Sequence, residues 1–308
     1  MQDTIGIDIS KDTLDIHRQS DGRHARFGND KAGLAALRRW IGKTPVRVVY
    51  EATGRYHRDM EAALDAAGHA LVKVNPGRAR RFAQAAGYGA KTDRVDAAML
   101  VRMGVVLELE ATPVRSESMH EIRELHIARL GLIKDRTACR NRLQAARNKV
   151  VLAQLRARLR QVERQIEQID AELARLVAEL LAHRFVILMS IPGIGPVAAI
   201  AMLVEMPELG SMDGKEAASL AGLAPITRES GRWKGQSRIG GGRRGLRRAL
   251  YMPALVATRH NRQLGQTYQA LCSAGKPAKV AITAVMRKLL ILANALIRDD
   301  RKWAETAP

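Results

Sequence analysis

The chain has 308 residues, of which 46% are hydrophobic, and this is enough for about two domains with apolar cores. With 51 Lys and Arg against 31 Asp and Glu, its formal net charge is +20, which attracts polyanions and disfavours basic partners. Because only 4% of the residues are aromatic, we expect a protein that grips nucleic-acid phosphates rather than one that binds single strands mainly by base stacking.

Cysteine content and local hydrophobicity exclude further classes. The two cysteines, Cys139 and Cys272, have no Cys or His partner at metal-ligand spacing, which excludes a disulfide scaffold and a zinc finger. The first eleven residues include three charged ones where a signal peptide needs an apolar core, and Arg287 and Lys288 interrupt the most apolar late stretch. We therefore expect a soluble protein in the reducing environment of the cytoplasm, with no membrane partner.

The N-terminal part, residues 1–112, alternates short β-type runs with helical ones. Asp21 and Gly22 separate the second and third runs and predict a two-residue hairpin turn, because both residue types tolerate positive φ. A hairpin meander followed by crossovers predicts an α/β, ribonuclease H-like domain. The predicted strands are 4–9, 14–19, 23–28, 46–50 and 70–74, and the predicted helices are 31–40, 58–67, 78–86 and 93–105.

A helical arm is predicted for residues 113–183, beginning at Pro113. No Gly or Pro occurs from Leu132 to Ile191. Apolar residues recur there at alternating spacings of three and four, which predicts a coiled coil, either folded back within the chain or formed between subunits. Its expected role is assembly. The seam residues are Leu152, Leu155, Leu159, Val162, Ile166, Ile169, Leu173, Leu176 and Leu180.

The third part, residues 184–308, is predicted to be a mainly α-helical domain with a basic surface. Its segment 190–196 (SIPGIGP) predicts a turn between two helices. In a helix-hairpin-helix motif such glycines let backbone N–H groups approach a phosphate, whereas a helix–helix turn without a ligand is the plainer alternative. Between Ser230 and Arg298 there are fourteen Lys and Arg but no Asp or Glu. A merely solvated face mixes both signs, so this one-sidedness favours phosphate binding, with the glycine-rich loop 237–245 close to the ligand.

Four acidic residues are candidates for catalysis. Asp8 comes late in the first predicted strand, and Glu51 directly follows another, so both are expected at one edge of the sheet. Asp93 and Asp96 begin a predicted helix and share one of its faces. If that helix packs across the same edge, four carboxylates converge, an arrangement that needs divalent cations. Two Mg²⁺ or Mn²⁺ ions about 4 Å apart would clamp the attacking and leaving oxygens of a phosphodiester.

Each acid also has a plainer interpretation. Asp8 suits a turn at a strand end, and Asp93 suits a helix N-cap after Lys91 and Thr92. Asp96 suits the first helical turn, because the helix dipole favours acids there. The prediction of a catalytic site rests on the whole set, in this order, within a highly cationic protein.

Eight segments of the chain resemble a known family. In order along nearly the whole chain, they are similar to the RuvC-like domain and the second, transposase domain of the DEDD transposases of bacterial insertion sequences, the IS one-ten family. The N-terminal segments are GIDIS (6–10), EATGRY (51–56), VNPGRARRFAQA (74–85) and KTDRVDAAML (91–100). The C-terminal segments are SIPGIGPVAA (190–199), LAGLAP (220–225), RESG (228–231) and LRRALYMPALVAT (246–258).

The resemblance implies Mg²⁺-dependent DNA transposition or site-specific recombination. It assigns the metal-binding tetrad to Asp8, Glu51, Asp93 and Asp96, and the serine nucleophile of the second domain to Ser230. From sequence alone Ser237 is a rival nucleophile, and a turn serine is the plainer interpretation of Ser230. The candidate phosphate contacts are Arg232, Lys234, Arg238, Arg243, Arg244, Arg247 and Arg248.

The resemblance also implies partners. These are double-stranded DNA of the element ends and target, a structured noncoding bridge RNA that guides the choice of sites, and further copies of the chain in a dimer or tetramer. Three alternatives are open from the residues. Sugar and acetate kinases and actin-like ATPases also begin with a strand resembling GIDIS, but they need later Gly-rich phosphate loops paired with acidic residues, whereas the late glycines here lie in a basic window without acids. A RuvC-type metal-dependent junction nuclease would need no serine adduct, and a non-catalytic DNA-architectural protein would need the charge but not the four acids.

Overall fold

The computed structural model describes residues 3–52, 54–88, 92–227, 229–231, 233–235 and 237–304. The chain divides into two compact units, one ending at Arg115 and the other beginning at Ser116. The first unit is a mixed α/β structure and the second is mostly helical, which confirms the coarse fold prediction. A separation of the second unit into an arm and a domain near residue 183 stays a prediction.

A five-stranded sheet forms the centre of the first unit. Its strand order is β3-β2-β1-β4-β5. The β1–β2 and β2–β3 pairs are antiparallel, whereas the β1–β4 and β4–β5 pairs are parallel, as a meander followed by crossovers requires. The strands are β1 Thr4–Ile9, β2 Thr13–Arg18, β3 His24–Gly28, β4 Arg47–Glu51 and β5 Ala70–Val74.

The turn between β2 and β3 differs from the prediction. The backbone N–H of Arg18 donates to the carbonyl of Arg23, so four residues connect the strands rather than two. Gly22 has a φ of 66°, and Asp21 is not among the described residues with positive φ. A two-residue type I′ turn needs positive φ at both central positions, so the predicted tight hairpin was wrong.

Helices cover both faces of the sheet. Along β4, Val48 and Tyr50 join one apolar core with α1 and α2, whereas Val49 joins a second core with α3 and α4. This alternation follows from the two-residue period of a strand. The two faces are therefore buried in separate apolar cores. The face covered by α4 is the one next to the predicted catalytic acids, two of which begin that helix. The helices are α1 Lys31–Ile41, α2 Arg58–Asp65, α3 Pro76–Ala85 and α4 Asp93–Val106.

A buried polar network ties α2 to the ends of β4 and β5. The Tyr50 hydroxyl donates to the Glu61 carboxylate, and Lys73 Nζ lies 2.5 Å from Glu61 Oε1. Tyr50 and Glu61 are each only 1% exposed. The buried Glu61 carboxylate therefore depends on Tyr50 for a hydrogen bond and on Lys73 for a positive charge. Burial, followed by the Glu61 charge, raises the pKa of Tyr50. The network fixes the chain immediately before Glu51.

The second unit begins with a helical hairpin and continues with shorter helices and two small strand pairs. The helices are α5 Glu117–Ala145, α6 Lys149–Leu180, α7 Ala182–Met189, α8 Pro196–Glu205, α9 Gly214–Leu220, α10 Arg244–His260, α11 Arg262–Ser273 and α12 Ala278–Arg298. The strands are β6 Pro225–Ile226, β7 Glu229–Ser230, β8 Trp233–Lys234 and β9 Arg238–Ile239.

In the hairpin, α6 packs back on α5 of the same chain. An Arg129–Asp170 ion pair and a 2.8 Å contact between Arg140 Nη2 and Glu163 Oε1 join the two helices. Of the heptad seam on α6, the buried residues are Val162, Ile166, Leu173 and Leu176, and the half-buried ones are Leu152, Leu155, Leu159 and Ile169. Leu180, the last seam residue, is 46% exposed and lies outside the buried stripe. The intramolecular alternative therefore fits the apolar pattern. Coiled-coil packing and a role in assembly stay predictions.

Helix α12 is the central core helix of the second unit. Its buried residues join the largest apolar cluster, together with residues of α7, α8 and α10. Among the described residues it is the single helix that is long and apolar enough to cross a membrane, with a mean hydropathy of 1.9. Half of that stretch is buried inside the protein, which matches the role of a core helix.

Candidate active site and nucleic-acid interface

Asp8 and Glu51 come from adjacent parallel strands and share one face of the sheet. Gly6 pairs with Val49 across the β1–β4 ladder. Asp8 lies two residues beyond Gly6, and Glu51 lies two residues beyond Val49, so the two-residue period puts both carboxylates on the same face. Both residues are partly exposed at the carboxyl edge of the sheet.

Glycines allow α4 to lie directly on this face. A Cβ atom at Gly6 would come 2.0 Å from the backbone oxygen of Ala97 in α4. A Cβ at Gly104 of α4 would come 2.5 Å from Cγ2 of Val49. Real Cβ atoms do not make such contacts, so glycine at both points permits the close approach of helix and strand.

The start of α4 carries the other two acids. Thr92 is the N-cap, because its hydroxyl accepts a hydrogen bond from the Val95 backbone N–H. Asp93 is therefore the first helical residue and does not cap the helix, which removes its plainer interpretation. Asp93 is exposed and Asp96, one turn further, is partly buried.

The four carboxylates interact electrostatically. Burial raises the pKa of Asp8 to about 6, with further contributions from the charges of Asp96, Asp93 and Glu51, in that order. Asp15 adds a smaller contribution of the same sign. Negative charges that raise the pKa of a neighbouring carboxylate are the electrostatic condition that a bound cation relieves.

The donor set suits hard cations such as Mg²⁺, because it consists of carboxylate oxygens. Across the ranges of chain that the structure describes, no three acidic, His or Cys side chains are arranged closely enough to enclose an ion. Asp93 in particular is engaged by an arginine, Arg26. The residues thus fit a divalent metal by chemistry and by mutual repulsion, and the side chains have to close on it.

Sequence reasoning missed Asp15 and Arg26. Asp8 pairs with Asp15 on β2, and Asp15 pairs with Arg26 on β3, so the three residues form one row across three strands. The Nε of Arg26 lies 2.9 Å from Asp15 Oδ1, and its Nη2 lies 3.2 Å from Asp93 Oδ2. The pairing of β2 with β3 would have placed Arg26 beside Asp15. The two-residue turn predicted from the sequence gives a different strand register, in which these two residues are not opposite each other.

Replacing Gly6 with alanine is expected to lower the free energy of unfolding by about 3 kcal/mol or more, because α4 has to move away from β1. The displacement also moves Asp93 and Asp96, so strand-cleavage activity should fall as well. Urea unfolding checks the first effect. As a control, Gly131→Ala in α5 adds a methyl group where no heavy atom lies within 4 Å and should leave stability unchanged or slightly raised. Equal stability of both variants would contradict the packing argument.

Ser230 lies in the second unit, at an exposed β-turn. It pairs with Trp233 across β7 and β8, and Gly231 has a φ of 57°, which turns the chain. Outside this turn, β6 pairs with β9, so the serine is carried by two nested strand pairs. Among the described residues, no hydrogen bond to the Ser230 hydroxyl occurs. The rival Ser237 differs, because its hydroxyl is 2.9 Å from that of Thr227.

The predicted phosphate contacts fall into two groups. Arg238, Arg244 and Arg248 are exposed. Arg243 instead forms a two-pronged ion pair with Glu208, with both contacts at 2.7 Å. A second set of contacts engages Arg247, whose Nη1 donates to the backbone oxygens of Gly241 and Gly222. Arg232 and the side chain of Lys234 lie outside the described residues.

The glycine-rich loop before α10 packs against the turn after α9. A Cβ at Gly242 would lie 2.2 Å from the backbone nitrogen of Gly222, and one at Gly222 would lie 2.4 Å from the oxygen of Gly241. The backbone N–H of Arg243 also donates to the Leu220 carbonyl. Close backbone packing therefore accounts for glycines at these positions, and the loop connects the strand pairs to α10.

The segment SIPGIGP forms a turn between α7 and α8, as predicted. Gly193 has a φ of 103°, and a Cβ there would lie 2.7 Å from the Pro253 oxygen in α10. Packing on α10 therefore explains this glycine. Gly195, the N-cap of α8, faces open space. A phosphate-binding role for this turn stays a prediction.

Three arginines of the first unit were not singled out in the sequence. Arg78, Arg80 and Arg81 are exposed on α3, which begins directly after β5 and is capped by Asn75. Because β5 and β4 are parallel, α3 starts at the same edge of the sheet as Glu51. Their close spacing just after the end of a predicted strand could have indicated a basic patch at this edge of the sheet.

Comparisons with known proteins agree with these features. Residues 186–269 match a family model described as "Transposase IS116/IS110/IS902 family", and residues 5–152 match a transposase model of the IS110 DEDD type. A "Pilin gene-inverting protein" of Moraxella bovis is 31% identical over 97% of both chains, and the protein of that name in Moraxella lacunata is 30% identical over the same shares. A third relative, the "Insertion element IS900 uncharacterized 42 kDa protein" of Mycobacterium paratuberculosis, is 34% identical over 37% of this chain and 29% of its own length.

Proposed function

The chain belongs to the IS116/IS110/IS902 family of transposases and is a DNA transposase or recombinase, and from this premise we propose that it exchanges DNA strands through two cooperating groups. The first is the four-carboxylate site of Asp8, Glu51, Asp93 and Asp96. The second is the nucleophile Ser230. The observation that carries the first of these is the geometry at one edge of the sheet: the strand register puts Asp8 and Glu51 on one face, and α4, which begins at Asp93, packs on that face.

Membership of a DEDD family implies the use of a divalent metal. We propose Mg²⁺ or Mn²⁺, with two ions held by the four carboxylates. When bound, such ions supply Lewis-acid stabilisation of the charge that develops on a phosphodiester. The chain's own contribution is to fix the carboxylates, which it does by packing α4 on β1 and by anchoring β4 through the Tyr50–Glu61 network.

In the proposed chemical step, the Ser230 hydroxyl oxygen attacks a DNA phosphate. A bond from Ser230 Oγ to phosphorus forms as the hydroxyl loses its proton to solvent, a phosphorus–oxygen bond to one deoxyribose breaks, and the released deoxyribose oxygen takes up a proton. The bond energy is kept in the phosphoserine link and becomes available for joining a second strand. Exposure of Ser230 at a turn suits attack on a large substrate. A serine hydroxyl is weakly nucleophilic at neutral pH, so the attack needs groups that stabilise the charge developing on the phosphate.

Positive charge supports the proposed nucleic-acid partners. The substrate is double-stranded DNA at the element ends and at the target, and a structured bridge RNA selects both by base pairing. The exposed Arg238, Arg244 and Arg248 provide phosphate contacts in the second unit, and the arginines of α3 do so beside the carboxylates. The protein acts as a homo-oligomer, a dimer or tetramer, at the nucleoid in the cytoplasm.

DNA inversion is a second candidate outcome of the same chemistry. The relatives from Moraxella, which match over 97% of both chains, are named as pilin gene-inverting proteins. Transposition and inversion both consist of paired strand exchanges, and they differ in the arrangement of the sites that are joined. We therefore propose one recombination reaction whose product depends on the DNA and RNA supplied.

A plasmid assay tests the proposed function. The wild-type protein is incubated with its element ends, the flanking noncoding RNA and Mg²⁺, and the junctions are sequenced. We expect recombined junctions that need both Mg²⁺ and RNA. Metal-dependent nicks without junctions would instead indicate a junction nuclease, and binding without any cleavage would indicate an architectural protein.

The two groups of arginines should separate on mutation. Arg248→Gln is expected to weaken DNA binding without loss of stability, and to lower the salt dependence of binding by about one charge. Arg243→Gln breaks the ion pair with Glu208 and should lower the free energy of unfolding by about 2 kcal/mol. Salt titrations of DNA binding and urea unfolding measure the two effects. The assignment fails if Arg243→Gln keeps full stability and changes only the salt slope.

A further inference from the structure

Arg26 occupies an unusual position for a surface arginine, next to a cluster of acids. It lies on the edge strand β3, in the row that runs from Asp8 through Asp15. Its Nε contacts both oxygens of Asp15, at 2.9 and 3.0 Å. Its Nη2 extends to Asp93 Oδ2 at 3.2 Å. One guanidinium group thus connects a carboxylate of the sheet to the first residue of α4.

Asp15 anchors this arginine. Its side chain is only 3% exposed, whereas those of Arg26 and Asp93 are 57% and 58% exposed. An ion pair between two exposed side chains is worth little, but a buried carboxylate needs its partner and holds it in place. The Nε2 atom of His24 also lies near this carboxylate, 3.5 Å from Asp15 Oδ1. The Nη2 end of Arg26 is therefore directed toward Asp93, because its Nε is held by the buried Asp15.

The geometry points to a positioning role: we propose that Arg26 is a built-in counter-ion for Asp93, with which a divalent metal must compete for that carboxylate. This inference rests on the proposed metal site and adds a residue that regulates its affinity. A fixed positive charge beside a cation site lowers its affinity for cations. The same contact offsets part of the repulsion between the Asp93 carboxylate and its acidic neighbours before metal binds. Loading the site then transfers Asp93 from the arginine to the metal.

Metal titration of the full-length protein tests the proposal, with Mn²⁺ alone as the probe and calorimetry or Mn²⁺ spin resonance as the readout. Arg26→Gln should lower the Mn²⁺ dissociation constant about threefold or more. Arg26→Lys keeps the charge but not the two-pronged contact with Asp15, so its dissociation constant should lie between those of wild type and Arg26→Gln. The matched control is Arg23→Gln, which removes an equally exposed arginine of the same hairpin that pairs with Asp21. Its Mn²⁺ affinity should equal that of wild type.

Each outcome decides a separate question. An unchanged or raised Mn²⁺ dissociation constant in folded Arg26→Gln overturns the counter-ion role. If the glutamine variant does not fold, an unchanged or raised constant in Arg26→Lys overturns it instead. Equal gains in Arg26→Gln and Arg23→Gln would also overturn it, since they would reflect net charge only. Asp8→Asn tests the metal site itself. If wild type does not bind Mn²⁺, or if Asp8→Asn still binds it, the proposed function and the inference are both contradicted.

Discussion

Replacing Asp8 with asparagine is expected to abolish strand cleavage and, in metal-free protein at pH 7.5, to raise the melting temperature. Cleavage should fall by about a thousandfold or more, because the residue contributes to the site that stabilises charge on the phosphate. The stability gain has a different cause. Asp8 is ionised at this pH in a place where burial and four neighbouring acids disfavour the charge, and asparagine removes that charge with little change of shape.

The pH dependence of this gain follows from the direction of the shift. The pKa of Asp8 is about 6 in the folded protein, compared with 3.8 when neither burial nor the neighbouring acids act on it. The folded state therefore binds the proton more tightly, so Asp8 destabilises the fold increasingly as pH rises from about 4 to 6 and fully above that range. Solvent screening of the half-buried group limits the penalty to about 1 kcal/mol. Asp8→Asn should thus be more stable than wild type at pH 7.5 but not at pH 3.5.

Thermal melts with a chelator, and then with Mg²⁺, measure both effects. Mg²⁺ should raise the melting temperature of wild type and leave that of Asp8→Asn unchanged, because a ligand stabilises the state that binds it. Asp59→Asn, an exposed acid in the first turn of α2, is the matched control and should behave like wild type with the metal. Equal Mg²⁺ stabilisation of wild type and Asp8→Asn would contradict the assignment of Asp8 to the metal site.

Replacing Ser230 with alanine is expected to reduce strand exchange by about a thousandfold or more, since no other group then carries the DNA phosphate. DNA binding and thermal stability should stay at the wild-type level, because the side chain is exposed and small. Ser237→Ala is the matched control. Its hydroxyl contacts Thr227, and its loss should leave strand exchange within about tenfold of wild type. Junction sequencing and binding assays on the three proteins give the comparison.

Two results would contradict the assignment of Ser230. Loss of exchange in Ser237→Ala together with activity in Ser230→Ala would move the nucleophile to Ser237. Metal-dependent free nicks at equal rates in both variants would mean that water attacks the phosphate at the carboxylates.

Much of the first unit could be predicted from the sequence because its local signals agree. Buried β-branched runs predicted β1, β4 and β5, and Asn75 followed by Pro76 predicted the end of a strand. The acid positions followed from strand ends and helix periodicity, so Asp8 and Glu51 were expected at one edge. The structure packs α4 on the same face of the sheet, while the joint role of the four acids stays a prediction. The resemblance, rather than spacing, carried the assignment of Ser230.

Tertiary contacts explain what the sequence left open. Whether an arginine faces solvent or a buried partner depends on residues far along the chain, so Arg243 could not be separated from Arg248. Gly6 and Gly193 look like flexible positions in sequence, but each is required by a helix that packs on it. Asp15 and Arg26 needed the register of β2 and β3, which a four-residue connection sets.

The central claim is that a serine of the second unit attacks DNA with the help of the four carboxylates. Denaturing electrophoresis of a recombination reaction with labelled DNA, bridge RNA and Mg²⁺ tests it most directly, followed by mass spectrometry of the attached peptide. We expect a covalent protein–DNA adduct through Ser230 that is absent in Ser230→Ala and in Asp8→Asn. Recombined DNA without any adduct in the wild-type protein, or an adduct that persists in Ser230→Ala, would contradict it.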